Sequence, residues 1–176
     1  MTDFRERAAT FLAAAPQFRL GDLPTEQSHP LTRDLSALAI SELPRAVSLL
    51  HAIDDAALGV LAAHSHEINA LADTIRSVLD SGRSVFVCGC GATGRLALTC
   101  ETIWRRECRD DDLRNRVIGF MAGGDCALVR AIENFEDHPE FGQRHLAELG
   151  FTDGDLLVAC TEGGETPFVI GATLFA

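Results

Sequence analysis

One short stretch, Val85–Arg95 (VFVCGCGATGR), constrains the fold more than any other part of the 176-residue chain. Its apolar, β-branched start predicts a buried strand, and Gly89, Gly91 and Gly94 follow with the spacing G-x-G-x-x-G. Glycines allow a tight turn and a close backbone approach, and the helix that begins next offers free N–H groups to an anion. The stretch therefore predicts a strand–loop–helix unit that binds a dinucleotide, binds a smaller phosphate, or is only a tight turn.

The alternation of strand and helix recurs downstream. Apolar runs at 84–88, 116–121 and 156–160 predict strands, and helical patterns follow at 93–106, 126–135, 139–150 and from 167. Strands that alternate with helices form a parallel sheet with right-handed crossovers, so we expect an α/β fold with three layers, αβα. The chain ends within an apolar helix at 171–176, and we expect the natural protein to continue with further strands.

The region before the sheet is predicted to be mainly helical. We expect helices over 4–15 and 35–52, a linker or extended arm over 16–34, and a further helix that ends at Gly82. Asp54 or Asp55 is expected to cap the start of that further helix. Two domains are predicted, an N-terminal helical arm at 1–55 and an α/β domain at 56–176.

The composition argues against several partners. A net charge of −11 and an isoelectric point of about 4.8 argue against binding of nucleic acid. We find no apolar run of about 18 residues that would indicate a membrane span, and no signal peptide at the N-terminus. The six cysteines show neither a disulfide framework nor zinc-ligand spacing, so we expect reduced thiols, a cytoplasmic protein and no metal.

The first glycine loop does not fit a dinucleotide well. Such a site needs an acidic side chain at the end of the second strand, where the acid binds the ribose. Here that strand ends in Met121, followed by Ala122-Gly123-Gly124, and the first acid is Asp125. A second loop, Thr161–Thr166, follows the third strand, and loops of this kind gather at the carboxyl edge of a parallel sheet. Two such loops suit one phosphate and a sugar.

Four stretches of the chain together resemble a known family. They are Thr25–Leu35 (TEQSHPLTRDL), Gly89–Arg95 (GCGATGR), Ala122-Gly123-Gly124 with Glu133–Asp137 (ENFED), and Thr161–Val169 (TEGGETPFV). They are similar, in this order, to the motifs of the sugar-isomerase (SIS) domain family, in the branch that holds N-acetylmuramic acid 6-phosphate etherases and the glucokinase regulatory protein.

The resemblance implies a flavodoxin-like αβα fold, a phosphorylated amino sugar as ligand, a homodimer, and no metal or nucleotide cofactor. It implies that Glu136 is the catalytic base. Residues of the two loops would bind the phosphosugar. They are Gly89, Gly91, Thr93, Gly94 and Arg95 in the first loop and Thr161, Glu162, Gly163, Gly164 and Thr166 in the second.

Three positions depart from the family pattern. The second catalytic glutamate of the etherases falls at Ile103, and Glu101, two residues earlier, is rotated by about 200° around a helix and is a poor substitute. Gly163 replaces a serine that often binds phosphate, and Glu165 replaces the arginine of the etherases. We therefore hypothesise that Glu162 or Glu165 accepts a hydrogen bond from a sugar hydroxyl.

Two classes of function remain open at this point. One is an enzyme, an etherase or an isomerase of a sugar phosphate, and the retained pair Glu136-Asp137 favours it. The other is a non-catalytic sensor that binds a sugar phosphate and controls a protein partner. Ile103 and the arm at 25–35 favour the sensor.

Overall fold

A computed structural model of the chain describes residues 9, 10, 13, 25–132 and 134–176. The chain divides into two compact units, Met1–Ala62 and Ala63–Ala176. The predicted helix over 4–15 lies almost entirely outside the described residues, as does Glu133 of the family motif. The domain boundary at 55 stays a prediction.

Between residues 25 and 63, the structure describes two helices. A 3₁₀ turn, Pro30–Thr32, precedes α1 (Leu35–Ser41) and α2 (Leu43–Ala63). Glu42 separates the two helices because its backbone is not helical, with φ −144° and ψ 63°. The predicted capping role of Asp54 or Asp55 is wrong, since both lie exposed inside α2. No glycine or proline near them ends the helix. An exposed aspartate inside a helix lowers its stability by only roughly a few tenths of a kcal/mol.

Among the described residues, α2 is long and apolar enough to cross a membrane by the measures of length and composition, with a mean hydropathy of 1.5. The expectation that no apolar segment is long enough for a membrane span therefore needs correction. Asp54 and Asp55 stand side by side near the middle of this helix. A carboxylate at the centre of a bilayer costs about 2.5–3.5 kcal/mol, so this pair argues against a span.

The second unit contains the sheet. Its elements, in chain order, are α3 (Ser65–Asp80), β1 (Val85–Gly89), α4 (Gly91–Glu107), α5 (Asp111–Arg114), β2 (Val117–Met121), α6 (Cys126–Val129), α7 (Pro139–Glu148), β3 (Leu156–Ala159) and α8 (Pro167–Phe175). The strands are parallel in the order β2-β1-β3, and Val85 lies opposite both Val117 and Leu156. The predicted parallel sheet is confirmed, and its strands lie within about one residue of the predicted bounds.

Successive side chains of β1 point to opposite faces of the sheet, and helices pack on both faces to give three layers. Phe86 and Cys88 point to one face, where they pack with Leu146 of α7 and Phe168 of α8. Val85 points to the other face, where the packing residues come mainly from α3, α4 and the neighbouring strands. The central strand is buried on both faces, as expected for a parallel sheet covered by helices.

Helices α7 and α8 approach each other at two glycines. A Cβ atom at Gly142 would overlap the carbonyl oxygen of Phe168, and one at Gly171 would overlap the carbonyl oxygen of Pro139. The two backbones are therefore in direct contact. This contact fixes α8, the helix that starts immediately after the second loop.

The predicted helix at 126–135 is wrong beyond Val129. Arg130 is extended, with φ −141° and ψ 146°, and Asn134 has a left-handed backbone with φ 69°. An asparagine tolerates that conformation because its short polar side chain can bond locally, and a helix cannot pass through it. Residues 130–132 and 134–137 therefore belong to loop structure, and Glu136 lies there.

We predict that Gly119→Ala destabilises the second unit by about 1–3 kcal/mol, because the new methyl group overpacks the contact between β2 and α4. Its Cβ would lie 2.7 Å from the carbonyl oxygen of Ala97, which is backbone and cannot move aside. Urea unfolding measures the effect. Gly59→Ala is the control, since it meets nothing within 4 Å inside α2 and should stabilise its helix by about 0.5–1 kcal/mol. Equal stability of Gly119→Ala and the wild type would contradict the packing described.

Candidate functional site

Loops that follow the three strands lie next to one another at the carboxyl edge of the sheet. The N–H of Ala122, after β2, donates to the carbonyl of Gly89 at 3.3 Å. The N–H of Cys160, after β3, donates to the carbonyl of Cys88 at 2.8 Å. The glycine loops therefore lie next to one another at this edge, as the sequence predicts.

The three glycines of the first loop have different roles. A Cβ at Gly89 would lie 2.5 Å from the backbone of Thr93, and one at Gly94 would lie 2.6 Å from the Cβ of Met121. These two positions need glycine for packing. Gly91 is different, because its φ is +50° and nothing lies within 4 Å of an added Cβ. The middle glycine thus presents open space at the N-terminus of α4, where an anion is stabilised by free N–H groups.

Thr93 closes the first loop. Its hydroxyl donates to the carbonyl of Cys90 at 2.8 Å and accepts from the N–H of Cys90 at 3.1 Å. The hydroxyl proton is therefore engaged within the loop. We expect any contribution of Thr93 to an anion to come from its backbone N–H.

A cavity of about 180 Å³ brings together predicted residues from two distant segments. Gly91 and Arg95 of the first loop and α4 line it from one side, and Glu136 lines it from the other. Ala122 and Ile132 are among the apolar residues that complete the wall. One guanidinium, one carboxylate and a helix N-terminus can thus face the same small ligand.

The Glu136 segment is hydrogen-bonded to α8 and lies near the first glycine loop. The carbonyl oxygen of Glu136 accepts a 2.9 Å hydrogen bond from the N–H of Phe168, in the first turn of α8. On the other side, the pKa of the Cys90 thiol is raised to about 11, first by burial and then by the negative charge of Glu136. Glu136 therefore lies close to the first loop and is held by the helix that follows the second.

The second loop is closed by its threonines. The hydroxyls of Thr161 and Thr166 are 3.1 Å apart, and the N–H of Gly164 donates to the Thr161 hydroxyl at 3.3 Å. Gly164 has a φ of +80°, a conformation that favours glycine. The loop is thus a compact turn that ends at the N-terminus of α8.

The two carboxylates of the second loop have different surroundings. Glu162 is exposed. The carboxylate of Glu165 folds back over Gly163, and its Oε2 atom is buried without a hydrogen-bond partner. Sequence reasoning treated the two residues alike, and only the fold of the loop distinguishes them.

Glu101 and Ile103 do not reach the cavity. Glu101 accepts hydrogen bonds from the N–H of Gly119 at 2.8 Å and from Nε of Arg105 at 2.7 Å. It therefore joins α4 to the edge of β2, a role that sequence reasoning missed. Ile103 lies twelve residues after Gly91, about 18 Å along a helix axis, and its side chain is 47% exposed.

A larger cavity of about 440 Å³ lies beside α7 and is mainly apolar. Phe135, Phe141 and Phe168 line it together with His145, whose pKa is lowered chiefly by burial. The charged side chains of its wall, Arg144 and Glu148, already form an ion pair, with 2.7 Å between Nε of Arg144 and Oε1 of Glu148. The smaller cavity with Glu136 is therefore the candidate site.

Comparison with known proteins gives one family. The sequence model of the family described as the glucokinase regulatory protein N-terminal SIS domain matches residues 68–176. An N-acetylmuramic acid 6-phosphate etherase of Rhodopirellula baltica is 34% identical over 163 residues, which are 90% of this chain and 51% of that protein. One of Synechococcus is 38% identical over 160 residues, 89% of this chain and 48% of that protein. The chain spans about half the length of the curated relatives it matches.

We predict that Cys90 resists alkylation by iodoacetamide at pH 8, where a thiol of pKa about 11 is about one part in a thousand thiolate. The exposed Cys100 and Cys126 should be labelled first. Glu136→Gln should accelerate labelling of Cys90, because loss of the negative charge lowers the pKa of this thiol. Peptide mass spectrometry measures each site.

Asp137→Asn is the matched control for that experiment, since it removes the adjacent carboxylate of the same loop. It should change the labelling rate of Cys90 less than Glu136→Gln does. Equal rates in the wild type and in Glu136→Gln would show that Glu136 does not lie beside the first loop.

Proposed function

The chain belongs to the family of glucokinase regulatory protein N-terminal SIS domains, and from this premise we propose that it binds a phosphorylated sugar at the carboxyl edge of its sheet. The observation that carries the proposal is the single cavity shared by Gly91, Arg95 and Glu136. An anion is favoured there by the N-terminus of α4 and by the guanidinium of Arg95. Glu136 faces the same space and is free to act on the sugar.

In this proposal the two glycine loops share the ligand. The first loop would supply the backbone N–H groups of Gly91, Ala92 and Thr93, with Gly89 making the turn possible. The N–H of Gly94 already donates to the carbonyl of Cys90 at 3.1 Å, so Gly94 serves the site through packing.

In the second loop, Thr161, Gly164 and Thr166 would exchange their hydrogen bonds within the loop for bonds to the ligand, and Gly163 would offer its N–H group. The exposed carboxylate of Glu162, and that of Glu165 after a side-chain movement, would accept bonds from sugar hydroxyls. The hydrogen bond from Phe168 to Glu136 supports the proposal because it holds the second loop and the base together.

We further propose an etherase-like activity on an amino-sugar phosphate, with Glu136 as the general base. The matched relatives named above are N-acetylmuramic acid 6-phosphate etherases, and this favours an enzyme over the sensor. The base would take a proton from the sugar, and the leaving oxygen must then gain one. Ile103 cannot supply that proton, so it would come from water or from another group, and turnover would be slower than with two carboxylates. Isomerisation by the same base is the second reaction to assay.

The proposed setting is a cytoplasmic homodimer that uses no metal or cofactor and binds neither nucleic acid nor membrane. Support for a reducing compartment comes from the cysteines, all six of which are free thiols. Support for self-association comes from exposed apolar side chains on α4, notably Leu96 and Ile103.

We predict that a phosphosugar raises the melting temperature of the protein, since a ligand that binds only the folded state adds about 2.7 kcal/mol at one hundred times its Kd. Gly91→Ala should reduce this shift, because the new methyl group occupies the open approach to the helix N-terminus. Differential scanning fluorimetry with N-acetylmuramic acid 6-phosphate, glucosamine 6-phosphate and fructose 6-phosphate measures both effects.

Gly150→Ala is the matched control for Gly91→Ala. Gly150 also has a positive φ, +86°, and open space around it, and it lies after α7, away from the loops. Both variants should lose a similar stability, about 1 kcal/mol, from backbone strain. The binding proposal fails if the wild type responds to NAD and to none of the phosphosugars.

We predict that Glu136→Gln lowers turnover by about 10²–10⁴-fold while the phosphosugar still binds, because a general base contributes a factor of this size. Glu101→Gln should keep turnover near that of the wild type, since Glu101 bonds the backbone of β2. Release of lactate from N-acetylmuramic acid 6-phosphate measures the rate. A Glu136→Gln variant as active as the wild type would remove Glu136 from the mechanism.

A further inference from the structure

The larger cavity, of about 440 Å³, lies next to the candidate site. Glu136 and Ala122 line the smaller cavity, whereas their chain neighbours Phe135 and Gly123 line the larger one. We propose that the larger cavity is a separate binding site for a small, uncharged aromatic molecule that carries one hydrogen-bonding group. This site is independent of the proposed function, because different side chains line it.

Three phenylalanine rings, those of Phe135, Phe141 and Phe168, line the larger cavity. The ring centroids of Phe135 and Phe141 are 5.1 Å apart, and the two ring planes are tilted by 42°. Aromatic rings prefer offset or edge-to-face contacts with other rings, at centroid separations of about 4.5–7 Å. A flat ring that enters this cavity can therefore make such contacts with rings that are already in place.

The ring of Phe135 is left partly uncovered by the rest of the protein. It is 39% exposed, whereas Phe168 on the same cavity is 1% exposed. Removal of apolar surface from water is the dominant favourable term in most association reactions. The volume of the cavity falls within the range of about 300–1,000 Å³ that is typical of small-molecule sites. The volume and the uncovered ring together indicate a small apolar ligand.

His145 is the polar group that can orient such a ligand. It lines the same cavity, and among the described residues none forms a hydrogen bond or an ion pair with its imidazole. The pKa of His145 is lowered chiefly by burial, so the ring is uncharged at neutral pH and offers one donor and one acceptor. A hydroxyl or a ring N–H on the ligand would give this imidazole a partner.

The charged side chains beside the cavity favour an uncharged ligand. Arg144 and Glu148 are exposed and already paired with each other. A carboxylate or an ammonium group that entered the cavity would leave water without a partner of its own, which is costly. The smaller cavity differs, because Arg95 and the N-terminus of α4 favour an anion there. The two cavities therefore select different chemistry, an anion in the smaller and a neutral aromatic molecule in the larger.

Isothermal titration with 2-naphthol, in the absence of any sugar phosphate, tests the site. This probe has two fused flat rings and one hydroxyl, and it should bind one-to-one with a Kd of about 1 mM or lower. Phe135→Ser should weaken binding about threefold to tenfold, the size expected for one aromatic contact. Absence of binding by the wild type up to about 1 mM would overturn the proposal.

Phe175→Ser is the matched control for Phe135→Ser. Phe175 is 38% exposed, almost the same as Phe135, but it lies at the end of α8 and does not line the cavity. Its substitution should leave the Kd for 2-naphthol unchanged, and thermal melting reports whether both variants are folded. An equal loss of affinity in the two variants, or no loss in Phe135→Ser, would contradict binding at this cavity.

Gly91→Ala distinguishes the two cavities. Its methyl group is added beside the smaller cavity, so the Kd for 2-naphthol should stay the same. Saturating N-acetylmuramic acid 6-phosphate should not displace the probe. Loss of binding in Gly91→Ala, or displacement by the phosphosugar, would place the probe in the candidate site and overturn the proposal. If no phosphosugar binds while 2-naphthol does, the proposed function fails and the second site stands.

His145→Phe tests the hydrogen-bonding group of the site. The variant keeps an aromatic wall and removes both ring nitrogens. The preference of the protein for 2-naphthol over naphthalene should fall about twofold to tenfold, the size expected for one neutral hydrogen bond. An unchanged preference would overturn the assignment of His145 as the group that orients the ligand.

Discussion

Backbone contact between α4 and the strands beneath it is the constraint on which the second unit depends. Gly89, Gly94 and Gly119 each lack a side chain at a point where a Cβ would lie 2.5–2.7 Å from a neighbouring atom. Contacts this short bring the helix close to β1 and β2. The N-terminus of α4 is then presented at the carboxyl edge of the sheet, and Arg95, one turn later, lines the cavity there. The geometry of the candidate site is therefore set by packing requirements that lie underneath it.

Much of the fold could be predicted because its signals are local. A short apolar strand, a glycine loop and a helix recur three times, and each strand appears within about one residue of its expected place. The failures have a physical reason in common. Asp54 and Asp55 match a capping signal, yet a helix continues through exposed aspartates at little cost. The segment after Val129 has helical composition, yet Asn134 takes a left-handed conformation that ends the pattern.

The residues of the candidate site could be predicted from the sequence, but their arrangement could be predicted only in part. Motif positions pointed to Gly91, Arg95 and Glu136, and the structure brings these three to one cavity. Sequence spacing could not show that Thr93 uses its hydroxyl inside the loop, because that depends on the turn geometry. It also could not separate Glu162 from Glu165, since both are acids of one short loop and differ only in the direction that the side chain takes.

The close pairing of α7 and α8 has a mechanical consequence. Gly142 and Gly171 bring the two backbones into contact, and the first turn of α8 bonds the carbonyl of Glu136. The second loop, the start of α8 and the Glu136 segment are thus coupled to one another. The hydrogen bond from the N–H of Phe168 to the carbonyl of Glu136 joins the start of α8 to that segment. In the proposed function, binding at the second loop and the position of Glu136 would therefore be coupled through the first turn of α8.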